Sequence, residues 1–201
     1  MGLIDLVFPK ACLECGGAGR YICENCLRKV PVGGWINRYS FSIFRYKGVI
    51  RKAIIALKYK YSTEIAKELA DICVGRLIAS HYRPKVTLIP IPLHWYRHNF
   101  RGFNQSEEVG KLIAEKMRWK FIPDLIIKKR STPPQVGLKD LVRRRNLRDV
   151  FAVNSRYLLP AGNYPPVLFD DVFTTGSTLK EVEEVLTASG ITGVLSLTIA
   201  R

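Results

Sequence analysis

Two adjacent carboxylates, Asp170 and Asp171, directly follow the apolar run Val167-Leu168-Phe169, and Thr174-Thr175-Gly176-Ser177-Thr178 comes shortly after. A helical pattern then begins, with Leu179, Val182, Val185 and Leu186 on one face and Gly190 closing it. The order is strand, polar turn, helix. A helix N-terminus leaves backbone N–H groups unpaired and carries partial positive charge, so an anion can sit there. Gly176 allows close approach of the backbone, and the Thr and Ser hydroxyls add donors without bulk. Two carboxylates cannot bind that anion, but they can accept hydrogen bonds from vicinal hydroxyls one sugar away. A ribose 5-phosphate satisfies both halves of the turn. The bland alternative is a capped core helix behind a buried strand, with surface aspartates, and the spacing of acidic pair and hydroxyl turn disfavours it.

A second chemistry stands near the N-terminus. Four of the five cysteines form Cys12-x2-Cys15 and Cys23-x2-Cys26. In a cytoplasmic protein such pairs indicate metal rather than disulfide. Each pair places two thiolates on one side of a tight turn, and together they complete a tetrahedral sulfur site for Zn²⁺. With all four positions filled by protein, no water can bind, so the expected role is structural and the metal supplies folding energy. A redox role is disfavoured, because neither motif is expected to open a helix after a strand.

These groups need a scaffold. Tyr39–Tyr46 is aromatic and β-branched enough for a strand. Val49–Tyr59 predicts a helix with Ile50, Ala53, Ile54 and Leu57 inward. Lys58 and Lys60 leave its end, facing either substrate or solvent, with solvent slightly favoured. A second helix follows, capped by Ser62 or Thr63, with Ala66, Leu69, Ala70, Cys73 and Leu77 as its buried stripe. Cys73 is therefore a core residue. Thr87–Pro92 predicts a strand, followed by a basic loop with Leu93, His94, Arg97, His98, Arg101, Gly102, Phe103, Asn104 and Gln105. A helix over about Ser106–Trp119 turns Val109, Leu112, Ile113 and Met117 inward. This strand, basic loop and helix form a second place to grip an anion. Asp124–Lys129 and Phe151–Val153 predict short strands, and Gly193–Ala200 a last apolar one. Between the short strands, Pro133-Pro134 marks a turn, and Arg143, Arg144, Arg145 and Arg148 follow too closely to share one narrow helix face. His81, His94 and His98 share no metal-ligand spacing.

The 201 residues suit one α/β core with a small appendage. A hydrophobic content of 47% with 24% charged residues is that of a globular chain. The net charge of +15 points to polyanionic partners, whether phosphorylated metabolites, nucleic acid or an acidic protein face. No apolar run reaches ~18 residues, so no transmembrane helix or membrane insertion is expected. MGLIDLVFPK lacks the marks of a secretory signal, which leads to the expectation of a cytoplasmic protein.

VLFDDVFTTGSTL resembles the phosphoribosyl-pyrophosphate (PRPP) motif of type I phosphoribosyltransferases. CLEC and CENC, ALKYKY, IPIPLHWYRHNFRGFNQSEEVGKLIA, the RSTPPQ and RRRN element and the terminal LTIAR extend the likeness over nearly the whole chain. With these, the chain resembles the ComF/ComFC family of competence-associated, phosphoribosyltransferase-like proteins. The resemblance implies an α/β fold: a type I phosphoribosyltransferase-like parallel sheet flanked by helices at 37–201, with a small four-cysteine zinc segment at 1–36. It also implies that the PRPP turn lies at the carboxyl end of a strand.

By the same resemblance, Asp170, Asp171, Val172, Thr174, Thr175, Gly176, Ser177 and Thr178 bind PRPP, with Asp170 and Asp171 the catalytic pair. The loop after Pro92 corresponds to the pyrophosphate loop, with Leu93, His94, Arg97 and Arg101. The segment carrying Arg145 takes the place of a closing catalytic loop. The implied reaction is that of a glycosyltransferase, in which a nitrogenous acceptor displaces pyrophosphate from C1 of PRPP with Mg²⁺ as cofactor. Where 6-oxopurine transferases carry an Asp in this motif, Thr174 stands, which disfavours hypoxanthine or guanine salvage. The contrasting hypothesis is a non-catalytic PRPP- or nucleotide-sensing module of DNA uptake that partners single-stranded DNA or a competence helicase. Trp95, Tyr96, Phe100 and Phe103 among Arg97 and Arg101 suit single-strand binding.

Overall fold

The computed structural model describes residues 10–59, 62–79, 84–93, 102–128, 150–157 and 164–201. Its centre is β7 (Pro166–Val172), which lies between β3 (Thr87–Pro90) and β8 (Leu195–Ala200), parallel to both. β8 in turn pairs in parallel with β2 (Ser40–Phe44), and β3 pairs in parallel with the short β4 (Lys120–Phe121). Only β1 (Val32–Trp35), on the outer edge beside β2, runs antiparallel in this sheet. The fold is α/β, a mostly parallel sheet flanked by helices.

Burial on both faces explains why β7 and β8 read as apolar runs rather than as alternating strands. Side chains on successive strand residues face opposite ways. Val167 and Phe169 accordingly join a core with Ile50 and Ile54 of α2 (Gly48–Tyr59) and Leu69 of α3 (Thr63–Ala79). Leu168 joins a second core with Leu179, Val182 and Leu186 of α5 (Ser177–Ala188). The helix α4 (Gln105–Met117) lies close on β7 because Gly110 has no side chain. A Cβ there would stand 2.9 Å from Cδ1 of Phe169.

Several expectations need adjustment at their ends. β3 stops at Pro90 rather than Pro92, since a proline nitrogen offers no donor for continuing a ladder. α4 ends at Met117 because Arg118 takes the left-handed backbone, φ 55°. The strand expected from Asp124 covers β5 (Ile126–Lys128), which pairs antiparallel with β6 (Phe151–Val153) as a separate ribbon. β1 and β4 are additions. β1 holds Gly33 and Gly34, residues that weaken any strand pattern, and β4 is two residues long. Cys73 is fully buried, as its helical stripe requires.

The cysteine segment leans on the helices. Glu68 accepts from the Ile22 backbone N–H at 2.9 Å, Lys10 pairs with Glu64 at 2.6 Å, and Lys52 pairs with Glu14 at 3.2 Å. Ile22, Cys12, Cys26 and Val30 are buried in the same core as α2 and α3.

Candidate functional site

The connection leaving β7 runs through α5 to β8 on one side, while the connection leaving β3 runs through α4 to β4 on the other. Where neighbouring parallel strands diverge in this way, a crevice opens beyond their carboxyl ends. Asp170 and Asp171 lie in that crevice at the end of β7, beside Ile91, whose N–H donates to the Phe169 carbonyl at 2.9 Å. A cavity of about 400 Å³ is lined there by Asp170, Asp171, Val172, Thr174 and Thr178 from the motif, and by Pro92 and Leu93 from the loop after β3.

The loop is held in place by Asn104, the N-cap of α4. Its side chain accepts from the Ser106 N–H at 3.1 Å and donates to the Ile91 carbonyl at 3.0 Å. Ser106, in the first turn of the same helix, donates its hydroxyl to Asp170 Oδ1 at 2.9 Å, and the Asp171 N–H donates to the same oxygen at 2.8 Å. Asp170 is thus oriented by two donors.

Burial pushes the Asp170 carboxyl up to about 7, with the neighbouring Asp171 carboxylate adding to the rise against the pull of those hydrogen bonds and of Lys58. Between pH 3.8 and about 7 the folded chain therefore holds a proton that the unfolded chain releases, so stability contributed here falls as pH rises through that window. The Asp170→Asn variant has no such slope. It is expected to melt above the wild type at pH 8, with the gap closing towards pH 4. Parallel melting curves at all pH values would refute this.

Beyond β7, the backbone turns at Gly176, which is the N-cap of α5 with φ 75°. Gly176 has no side chain to cap the helix; the Ser177 N–H donates to Thr175 Oγ1 at 3.4 Å, and the N–H groups after it in the first turn are open to an anion. Thr174, Thr175, Ser177 and Thr178 are exposed around it, and the Thr175 hydroxyl donates to Ser177 Oγ at 3.0 Å. A Cβ at Gly176 would sit 2.6 Å from Cζ of Phe173. Gly176→Ala is therefore expected to cost about 2 kcal/mol, combining left-handed strain with displacement of that ring. Its melting temperature should fall by roughly 4–8 °C, and an unchanged melt would show that the turn tolerates a side chain.

Lys58 departs from expectation. Instead of facing solvent, its ammonium pairs with Asp171 Oδ2 at 2.8 Å and lines the cavity, as does Lys128 from β5. Sequence periodicity identified Lys58 only as a helix-end residue, and nothing in it singled out Ser106 or Lys128 for this site. The Asn104 cap, two residues before Ser106, was the available signal. His94, Arg97, Arg101, Arg145 and Lys60 lie outside the described residues.

The four cysteines form a separate cluster. All four sulfurs lie within 4.8 Å of one another, and Cys15 Sγ to Cys23 Sγ is 3.8 Å. A tetrahedron with metal–sulfur bonds of about 2.3 Å has edges of about 3.8 Å. The set could hold a metal ion such as zinc. Burial acts to raise Cys12, yet backbone hydrogen bonds at Cys15, Cys23 and Glu14 bring its thiol down to about 6. Cys26 is pushed up to about 12 by burial and by the thiols around it. A cation at the centre would relieve that crowding. Cys23 caps one helical turn, α1 (Glu24–Leu27), but no strand leads into it among the described residues, as expected of a motif without the redox arrangement.

DNA utilization protein YhgH of Salmonella typhi is 31% identical over 186 residues, spanning 89% of this chain and 78% of that protein. Competence protein F of Haemophilus influenzae is 30% identical across 94% of this chain and 84% of its own length. The chain belongs to the ComF family. No family model matches this ComF-family chain. Among solved structures, the allosteric regulatory enzyme of purine biosynthesis aligns with a TM-score of 0.47 at 14% identity, over 72% of the ComF-family chain and 29% of its own. Among the described residues, no helix is long and apolar enough to cross a membrane.

Proposed function

We propose that this ComF-family protein binds PRPP in the crevice between β3 and β7 and acts as a type I phosphoribosyltransferase on a nitrogenous acceptor, in the service of DNA uptake. The observation that carries this reading is the acidic pair at the end of β7, joined through a hydroxyl-lined turn to a helix N-terminus whose cap residue, Gly176, has no side chain, around one cavity. The N–H groups following Gly176 and the hydroxyls of Thr174, Thr175, Ser177 and Thr178 hold the 5-phosphate. Asp170 and Asp171 accept the ribose hydroxyls, and their charge favours the oxocarbenium-like ring that develops as pyrophosphate leaves C1. Leu93 and the cavity wall at Pro92 flank the leaving group, and His94, Arg97, Arg101 and Arg145 are assigned to it by resemblance alone.

Two carboxylates and threonine hydroxyls are hard oxygen donors of the kind Mg²⁺ takes, so the site suits that ion. Asp170 and Asp171 would hold it through the ribose hydroxyls, and it would neutralise the charge of the departing pyrophosphate. The chain divides into a zinc-bearing segment at 1–36, with Cys12, Cys15, Cys23 and Cys26 as ligands, and a transferase-like domain at 37–201 whose sheet is extended by β1 from the segment's end. The protein works in the cytoplasm.

The test is pyrophosphate release from PRPP and Mg²⁺ against a panel of nitrogenous bases. Release dependent on one base supports the transferase, and PRPP binding with no release for any base supports a sensor. A second reading, an accessory that senses PRPP and binds single-stranded DNA alongside a competence helicase, draws on the β1–β2 hairpin. Trp35 and Tyr39 are about half exposed there, and the Arg38 guanidinium lies 5.6 Å from the centre of the Tyr39 ring. Stacking surfaces beside cations suit unpaired bases. Salt-dependent affinity for single-stranded DNA that survives loss of both aspartates would favour this reading.

A further inference from the structure

Lys58 stands at the last turn of α2 with its ammonium 2.8 Å from Asp171 Oδ2, its side chain 25% exposed and that of Asp171 14% exposed. Val167, Phe169 and Asp171 alternate along β7, and the first two pack in the core that includes α2. Helix packing therefore delivers the lysine to the acidic pair. The same cavity is lined by Ile91, Pro92 and Leu93, so Lys58 shares one cavity with both the acidic pair and the loop after β3. Two adjacent carboxylates alone would repel a polyanionic sugar. Lys58 offsets that repulsion at Asp171.

We infer that Lys58 is a ligand-positioning residue that exchanges its contact with Asp171 for the anionic group at C1 of a bound ribose phosphate. The exchange is balanced. The ribose hydroxyls donate to Asp171 in place of the ammonium, and the ammonium, on a flexible stem with three donors, meets the phosphate oxygens. Lys58 thereby reads whether C1 carries an anion, a property that separates PRPP from ribose 5-phosphate. This inference rests on the sugar-phosphate reading of the crevice given above.

The experiment is titration calorimetry in Mg²⁺ buffer with PRPP and, separately, ribose 5-phosphate, on the wild type and on Lys58→Gln, Lys58→Met and Lys58→Arg. The Gln and Met variants are expected to bind PRPP roughly tenfold more weakly or worse, and ribose 5-phosphate within about twofold of wild type. Arginine, which keeps the charge, should recover most of the PRPP affinity. Equal weakening towards both ligands would show that Lys58 acts only through Asp171, and unchanged PRPP affinity would show a passive ion pair. Either result overturns the assignment while the sugar-phosphate site stands. A wild type that binds neither ligand removes the site itself. The Met variant, which keeps the apolar stem, carries the test should the Gln variant melt early.

Discussion

The Asp170→Asn/Asp171→Asn double variant is expected to lose PRPP binding by at least about 100-fold while keeping its fold. Each carboxylate would accept a charge-assisted hydrogen bond from a ribose hydroxyl, worth about 1.5–3 kcal/mol, and losing two compounds to that factor. The fold survives because asparagine keeps an oxygen for the Ser106 hydroxyl and the backbone N–H that now meet Asp170 Oδ1. At position 170 the neutral side chain also relieves the burial of a charge. Calorimetry and a thermal melt on the same preparation check both halves. Unchanged PRPP affinity would remove the sugar-phosphate assignment, and a collapsed melt would show that the pair is structural.

Removing metal from the cysteine cluster should produce the largest change in stability. Structural zinc contributes about 10–16 kcal/mol of apparent binding energy in small peptides. Here the segment also leans on Glu64, Glu68 and Lys52, so part of its order survives. A net loss of about 4 kcal/mol would still lower the melting temperature of a chain this size by roughly 8–16 °C. Metal analysis should find one zinc per chain, and chelation or Cys26→Ser should reproduce the fall. A metal-free preparation that melts like the untreated protein would overturn the structural role. Because Cys12, Cys26 and Ile22 share the core of α2 and α3, the effect should reach beyond the knuckles.

Much of the frame could be read from local pattern. The α2 and α3 stripes, β7 and the turn into α5 depend on periodicity and on hydroxyl and glycine chemistry within a dozen neighbouring residues. β1 could not be read, because a strand containing Gly33 and Gly34 is stable only through its partner, β2. The ends of β3 and α4 moved for similar reasons, set by a missing N–H at proline and by a left-handed residue.

Sequence alone determined which groups could do chemistry, namely two carboxylates before a hydroxyl turn and four thiols in two close pairs, since type and spacing are local properties. Tertiary structure alone decided that Ser106 orients Asp170, that Lys58 neutralises Asp171, and that the loop after β3 shares a cavity with both. Ser106 lies 64 positions from Asp170 along the chain and Lys58 113 from Asp171. Only the parallel pairing of β3 with β7, and the packing of α2 and α4 against that sheet, closes such distances.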